Sequence, residues 1–303
     1  MSIAAELPTR RNEAWKYSDL RQAVGDQKHA LRDGRDIIER LASGTQRLEA
    51  VAGKRHLFVE RMVDDQYMDA RSFDWTVGEG AELTRVVMQT GKELPLSVTR
   101  VRLATGAKYT QFVLAFGARL ARIETHVTVE GEGVEVTLNG AYLAGAGRHA
   151  DLTSVIEHKA PGAVTRQLIK GVARKGGRGV FQGKIIVDRA AQKTDARQHH
   201  QGLLLEDGAE IFAKPELMIH ADDVQCAHGN TAGGLDERAL FYMRSRGIPE
   251  AEARALLIEA FLTETIPAGL PEALREELVG AIQIWLATGQ PPAPAATDYE
   301  GMV

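Results

Sequence analysis

The sequence is poor in cysteine and in net charge. Cys226 is the one cysteine among 303 residues, so a disulfide within the chain and a metal site built only from its own cysteines are both excluded. The formal net charge is -4, with 37 Lys and Arg residues against 41 Asp and Glu residues. This balance gives no broad basic field for phosphate backbones, which disfavours nucleic-acid binding as the main role.

Long apolar runs and common catalytic motifs are also missing. No apolar stretch approaches the ~18 residues of a membrane span, and residues 1–20 lack the apolar core of a signal peptide. We therefore expect a cytoplasmic protein. The sequence contains no GxxxxGK[ST], GxSxG, HExxH or CxxC motif. These absences predict a chain that is not an enzyme and that does not hydrolyse ATP itself.

The periodicity of apolar residues changes along the chain. Residues 1–56 are predicted to form an N-terminal helical segment, with an amphipathic helix at 34–48. From 57 to 234, short apolar alternations take over, as in 123–138 (IETHVTVEGEGVEVTL). Their period of two is that of β-strands, so this region is predicted to be mainly β.

Glycines punctuate the β region at intervals that indicate stacked coils. Most intervals are 26 to 29 residues, with one of 17, and glycine accepts the positive φ of a tight corner. The spacing favours the rungs of a parallel β-helix, although periodicity alone also allows an antiparallel sandwich. The repeated glycines are Gly80, Gly106, Gly133, Gly162, Gly179 and Gly208.

Helical patterns return in residues 235–289, which are predicted to form a C-terminal helical domain of three helices. Asp236 is a predicted N-cap for the first, which ends at Gly247, and Pro249 suits the first turn of the second. Residues 290–303, rich in Pro and Ala, are predicted to be a flexible tail. The apolar stripes are Ala253, Leu256, Leu257, Ala260 and Phe261 in the second helix, and Leu274, Leu278, Ala281, Ile282 and Trp285 in the third.

Side chains able to bind a metal are densest in residues 193–234. If the strand there is extended, Cys226 and His228 point to the same face and can converge on one ion, and His220 joins them if the strand is unbroken. Two ligands cannot fill a four-ligand zinc or iron-sulfur site, so the rest would come from a second chain at an interface. A buried thiol and a hydrogen-bonded imidazole stay open as the alternative.

Other polar residues of this segment are weaker candidates. His199 and His200 are adjacent, and successive strand residues face opposite ways, so they cannot serve one site together. Asp222 and Asp223 are typical of a turn or a salt bridge. Together with Glu210, they leave open a β-helix enzyme acting on a carbohydrate, although adjacent carboxylates on a strand face apart.

Several stretches resemble the signature of a known family. The resemblance is to the SufB/SufD family of the SUF iron-sulfur cluster assembly system. SufB-type chains usually carry a glutamate after the histidine that corresponds to His228, together with further cysteines, whereas Gly229 follows here; the resemblance is therefore to the SufD side of the family. Asn230 departs from the small alanine that is usual there. The matching residues are 11–20 (RNEAWKYSDL), Thr194, Ala196, Gln198, 203–205, Lys214, Pro215 and 221–248.

The resemblance implies an architecture, partners and a site. It implies a right-handed parallel β-helix that pairs with SufB at its end and a helical domain that docks the SufC ATPase. It implies that His228, with Cys226 as its neighbour, contributes to a transient iron-sulfur cluster completed by the partner, and that the isolated chain holds no tightly bound cofactor. A homodimer of the isolated chain, a purely structural role and the binding of a flavin stay open.

Overall fold

The structure, a computed structural model, describes residues 6–27, 30–63, 67–293 and 299–302. Its centre is a parallel β-solenoid in which successive strands alternate between two sheets, and this confirms the predicted parallel β-helix. Sheet A contains β1 (Thr45–Ala50), β3 (Met68–Val77), β5 (Leu94–Leu103), β7 (Ala121–Val129), β9 (His149–His158), β11 (Arg178–Val187) and β13 (Glu210–Ile219). Sheet B contains β2 (Arg55–Met62), β4 (Glu82–Gln89), β6 (Lys108–Ala115), β8 (Glu135–Ala144), β10 (Val164–Ala173), β12 (Asp195–Leu204) and β14 (Gln225–Gly233).

Glycines with positive φ turn the chain at two opposite rows of corners. The prediction for Gly179 is wrong, because this residue lies inside β11 and Gly176 makes the corner before that strand. The irregular interval of 17 residues arises because Gly162 lies in one row, whereas Gly179 lies just after a corner of the other row. The row from sheet A to sheet B contains Gly80, Gly106, Gly133 and Gly162, and the row from sheet B to sheet A contains Gly147, Gly176 and Gly208.

The N-terminal segment covers the outside of sheet A. A 3-10 turn (Glu13–Trp15), α1 (Leu20–Val24) and α2 (Ile37–Leu41) bury an apolar cluster against β5. The helix predicted at 34–48 is wrong in length, because α2 ends at Leu41 and β1 begins at Thr45. Parallel pairing of β1 with β3 overrides the helical pattern there, since a tertiary contact outweighs a small local propensity.

Three helices follow the solenoid: α3 (Glu237–Ser245), α4 (Glu250–Thr263) and α5 (Glu272–Thr288). The helices α4 and α5 cover the outside of sheet B, and α3 packs against α4. Asp236 caps α3 as predicted, by accepting from the backbone N–H groups of Arg238 and Ala239. The stripe predicted for α5 is buried in full. The stripe predicted for α4 is wrong in part: Leu256 and Ala260 are exposed, and the buried residues are Ala253, Ile258 and Leu262.

The error in α4 has a simple cause. The run ALLIEAFL carries apolar residues around most of the helix, so the periodicity did not single out the face toward the solenoid. The tail predicted for 290–303 falls partly outside the described residues. Within it, Tyr299–Met302 forms β15, which pairs antiparallel with β2 at the edge of sheet B far from β14.

Candidate functional site at the open end of the solenoid

The last coil of the solenoid, formed by β13 and β14, is uncovered. Its side chains are half-buried or exposed, whereas earlier coils bury their inner faces. Within the described part of the chain, β13 pairs with β11 alone and β14 with β12 alone. The outer edge of each strand therefore presents backbone N–H and C=O groups that a further strand can pair with.

Cys226 and His228 lie on β14 and share its inner face, as predicted. Their register partners on β12 are Ala196 and Gln198, and both partners are 0% exposed. Cys226 is half-buried and packs against the interior cluster. His228 is exposed at the open end. The register therefore places the thiol and the imidazole two residues apart on a face that no further coil of the described residues covers.

Burial is the main influence on the Cys226 thiol. It raises the pKa of Cys226 above its ordinary value; a backbone hydrogen bond from Ala196 opposes this rise, and the nearby Asp195 carboxylate adds a smaller one. The thiol is therefore protonated at neutral pH. It must lose its proton before it can bind a metal, because the thiolate is the ligand.

The structure separates His220 from this pair. The residue directly follows β13 and is exposed, and a corner lies between it and β14. The condition that the strand be unbroken is thus not met, so His220 does not share the inner face of β14 by strand alternation.

The carboxylates of the enzyme alternative also lie apart. Asp222 and Asp223 are exposed in the corner before β14, where Asp223 forms an ion pair with Lys193. Glu210 is at the start of β13, and its carboxylate accepts a hydrogen bond from Arg178 Nε at 2.8 Å. At about 3.3 Å per residue, Glu210 is roughly 30 Å from the far end of β13. This distance is too long for an acid/base pair with either aspartate.

His199 and His200 face opposite ways, as strand alternation predicted. His199 is exposed on the outer face beside Gly229, where an added Cβ would lie 2.9 Å from its Nδ1 atom. His200 is 1% exposed, and its Nδ1 atom lies 2.8 Å from Oδ1 of Asn230 on β14. Sequence reasoning set both histidines aside because they cannot serve one site together, and it therefore did not identify the role of His200. The alternation that separates them also places His200 inside, one coil before Asn230.

Gln198 is a second residue that sequence reasoning did not assign to the site. Its side chain is fully buried opposite His228, and neither its Nε2 nor its Oε1 atom has a hydrogen-bond partner among the described residues. Buried amides normally have partners, so this amide is an exception that calls for an explanation. Also within the described residues, no three His, Cys, Asp or Glu side chains are grouped so that they could hold a metal ion. No described helix is long and apolar enough to cross a membrane.

Fold and site together define a parallel β-solenoid with helical covers on both sheets and an end, at β13 and β14, that the described residues leave uncovered. The family model described as "SUF system FeS cluster assembly, SufBD core domain" matches residues 47–261. The chain belongs to this family, and within it the chain is SufD-like. The resemblance inferred from the sequence is thereby confirmed.

Three relatives show the extent of the similarity. The chain is 30% identical over 240 residues to the iron-sulfur cluster assembly protein SufD of Escherichia coli (strain K12), covering 78% of this chain and 57% of the relative. It is 33% identical over 192 residues to a SufBD family protein of Synechocystis sp., covering 63% and 42%. It is 34% identical over 208 residues to the chloroplastic protein ABCI7 of Arabidopsis thaliana, covering 65% and 44%. The chain thus spans about half the length of these relatives.

Proposed function

We propose that this chain is a non-enzymatic scaffold subunit of the SUF iron-sulfur cluster assembly complex and that its open end pairs with a SufB partner. One observation carries the proposal: the imidazole of His228 is exposed on the inner row of β14, where earlier coils hold buried side chains. The corresponding positions of the preceding strands of sheet B are Gln198 and Gln167, which are 0% and 3% exposed. A partner strand stacked on β14 would bury His228 in the same way.

The side chains at this end suit a cluster that is cargo. An imidazole nitrogen and a thiolate are both iron ligands, and two ligands from this chain leave the remaining positions to the partner. His228 has the main role in the proposal, because its ring is exposed and free to turn toward the partner. Cys226 has a minor one, since its half-buried thiol has a raised pKa and packs in the interior.

The C-terminal helices offer a second docking surface, which we assign to a SufC ATPase. Phe241 and Tyr242 on α3 are 72% and 58% exposed, and Leu256 and Ile284 are 44% and 45% exposed. Large exposed apolar side chains that lie on neighbouring helices are typical of a protein interface. An ATPase bound there would supply the energy that this chain, without a phosphate-binding loop, cannot take from ATP.

Contacts between these helices and sheet B provide a route by which a movement of the bound ATPase would be passed to the solenoid. Lys170 of β10 is 3% exposed, and its Nζ lies 2.6 Å from Glu264 at the end of α4. Asn139 of β8 donates a hydrogen bond to the backbone oxygen of Thr265 at 2.9 Å. Because these partly buried contacts join the end of α4 to the solenoid, a shift of α4 is expected to move the strands that lead to the open end.

The edges of β13 and β14, to which no other described strand is paired, also fit a second copy of this chain. A homodimer would use the same surface on both copies, so it would compete with the SufB partner. In that arrangement, or in a purely structural pairing with SufB, His228 would pack in the interface without binding iron.

The test is co-purification of this chain with the SufB-type and SufC-type proteins of its own genome, followed by anaerobic reconstitution with iron and sulfide. We expect a complex that forms clusters, and a His228→Ala complex that assembles normally but loses most of that activity. His199→Ala is the matched control, because it removes an exposed histidine from the outer face of the neighbouring strand. A fully assembled His228→Ala complex with normal cluster formation would leave only the structural role. Failure of the complex to form would overturn the assignment of partners.

A further inference from the structure

Asn230 is the next inner residue of β14 after His228. Asn230 is paired with His200 of β12, and His228 is paired with Gln198 of the same strand, in a continuous parallel register. At about 3.3 Å per residue, the Cα atoms of His228 and Asn230 are roughly 7 Å apart on one face of the strand. A small ligand bound between them is within reach of both side chains.

A buried aromatic group fixes the position of Asn230. The ring of His200 stacks against Phe181, with centroids 5.3 Å apart and an angle of 8°, and against Tyr142, at 5.9 Å and 14°. The Tyr142 hydroxyl lies 2.9 Å from Nε2 of His200. Tyr142 fits there because Gly171 and Gly179 lack a Cβ, which would lie within 1.8 Å and 2.1 Å of its ring. These contacts leave His200 little freedom to rotate.

With Oδ1 of Asn230 facing Nδ1 of His200 and the ring neutral, the donors and acceptors of this chain of hydrogen bonds have one order. Oδ1 of Asn230 only accepts, so Nδ1 of His200 carries the proton and donates to it. Nε2 of His200 then accepts from the Tyr142 hydroxyl. With its oxygen held inward, Asn230 keeps its NH₂ group at the open end, where that group has no partner among the described residues.

We propose that the NH₂ group of Asn230, oriented by His200 and Tyr142, is a hydrogen-bond donor to an anionic sulfur ligand, sulfide or a thiolate, bound beside His228. This role rests on the proposed function of the same site. Asn230 is the residue that touches the ligand, and His200 is a positioning residue that acts through it.

The unpaired amide of Gln198 is independent support for a ligand at this place. Gln198 is fully buried directly opposite His228, and both polar atoms of its side chain lack a partner in the described chain. An unsatisfied buried amide destabilises a fold unless something binds it, since it has lost its hydrogen bonds to water. One carboxamide, fully buried, lies beneath His228 and another lies beside it, so a ligand bound at His228 would have both as neighbours.

The test compares Asn230→Asp with Asn230→Ala in the reconstituted complex, loaded with ferrous iron and sodium sulfide. The aspartate variant keeps an oxygen for His200 Nδ1 but lacks the NH₂ donor, whereas the alanine variant lacks both. We expect both variants to lose the assembled cluster to a chelator about tenfold faster than the wild type, since a hydrogen bond to a charged group is lost in each. Gln225→Glu is the charge control, because it adds the same negative charge to β14 at a position that alternates with the inner row.

The outcomes separate this inference from the proposed function. Normal cluster retention in Asn230→Asp, with loss only in Asn230→Ala, would show that anchoring of His200 matters and that the donor does not. Normal retention in both variants, with His228→Ala still defective, would overturn the inference alone. A normal His228→Ala complex would overturn the proposed function itself. Urea unfolding of each variant chain checks that the exposed substitutions leave the fold intact.

Discussion

The indole ring of Trp15 lies on the guanidinium group of Arg122, with 4.1 Å between the ring centroid and Arg122 Cζ. Both side chains are buried, and Arg122 also donates to Asp151 at 2.9 Å. Ser18, three residues after Trp15, donates to the same carboxylate at 2.5 Å. The N-terminal segment is therefore attached to the outside of sheet A through a buried charged cluster that it shields from water.

Removal of the Trp15 ring should release the N-terminal segment. We expect Trp15→Ala to lower the free energy of unfolding by about 3 kcal/mol or more, because it creates a cavity and exposes Arg122. Urea unfolding measures the loss, and limited proteolysis should show faster cleavage before Leu20. Lys16→Ala is the control, since Lys16 is exposed and its Nζ lies 5.8 Å from the Tyr17 ring. Equal stability of the two variants would contradict this account of the attachment.

A buried histidine should make stability depend on pH. His158 is 0% exposed at the end of β9, and burial lowers its pKa from 6.5 to about 4. Between these values the unfolded chain binds a proton that the folded chain does not, so stability falls as the pH decreases from 6.5 toward 4. The contribution of His158 to the change in the free energy of unfolding with pH approaches about 1.4 kcal/mol per pH unit.

Replacement of this histidine by a residue that does not titrate checks the pH effect. His158→Gln should flatten the pH dependence of urea unfolding between pH 6.5 and 4 relative to the wild type. His220→Gln, which removes an exposed histidine, is the control variant. The explanation fails if the wild type and His158→Gln lose stability in parallel over this range.

Two glutamines of one interior row should respond in opposite ways to loss of the amide. Gln111 Oε1 accepts from Arg85 Nη1 at 2.7 Å and from the Tyr109 hydroxyl at 2.8 Å, so Gln111→Leu leaves buried donors unpaired and should destabilise by about 2 kcal/mol or more. Gln198→Leu removes an amide without partners in the described chain, so the free energy of unfolding should stay equal or rise by about 1 kcal/mol.

Urea unfolding of both glutamine variants measures these changes. If Gln198→Leu is as destabilising as Gln111→Leu, then Gln198 has partners in the folded chain, and its availability to a ligand is contradicted. A stable Gln198→Leu chain that assembles with its partners but forms fewer clusters would support the functional use of this amide.

Much of the fold follows from the sequence, for identifiable reasons. The solenoid is predictable because the alternation in 123–138 is strict and the corner glycines recur at nearly constant intervals. The helix α5 is predictable because five apolar residues recur at helical spacing along one face, and all five are buried. The buried face of α4 and the strand β1 cannot be predicted in this way. In both places the local sequence is compatible with more than one structure, and contacts with neighbouring elements determine which one forms.

The site is predictable only in part. Strand alternation places Cys226 and His228 on one face, and the register confirms it. The contact of Tyr142 with His200 joins residues 58 positions apart, so it depends on how coils stack and on which glycines leave room for the ring. The unpaired amide of Gln198 depends likewise on its surroundings in three dimensions.

The exposed aromatic residues of α3 should matter for binding and not for stability. We expect Phe241→Ser to weaken binding of the SufC-type ATPase at least tenfold, since it removes a 72% exposed ring from the proposed contact. Val51→Ser, at a 50% exposed residue outside the C-terminal helices, is the matched control. Binding measured by calorimetry that is unchanged in Phe241→Ser would remove α3 from the proposed interface.

The most direct test of the central claim detects nitrogen ligation of the cluster by this chain. The chain is labelled with ¹⁵N-histidine, assembled with its unlabelled partners and reconstituted, and the reduced cluster is measured by pulsed electron paramagnetic resonance. We predict a ¹⁵N hyperfine coupling that disappears in His228→Ala and persists in His199→Ala. A cluster without any ¹⁵N coupling in the wild type, or one whose coupling survives His228→Ala, would contradict the claim that His228 binds the iron.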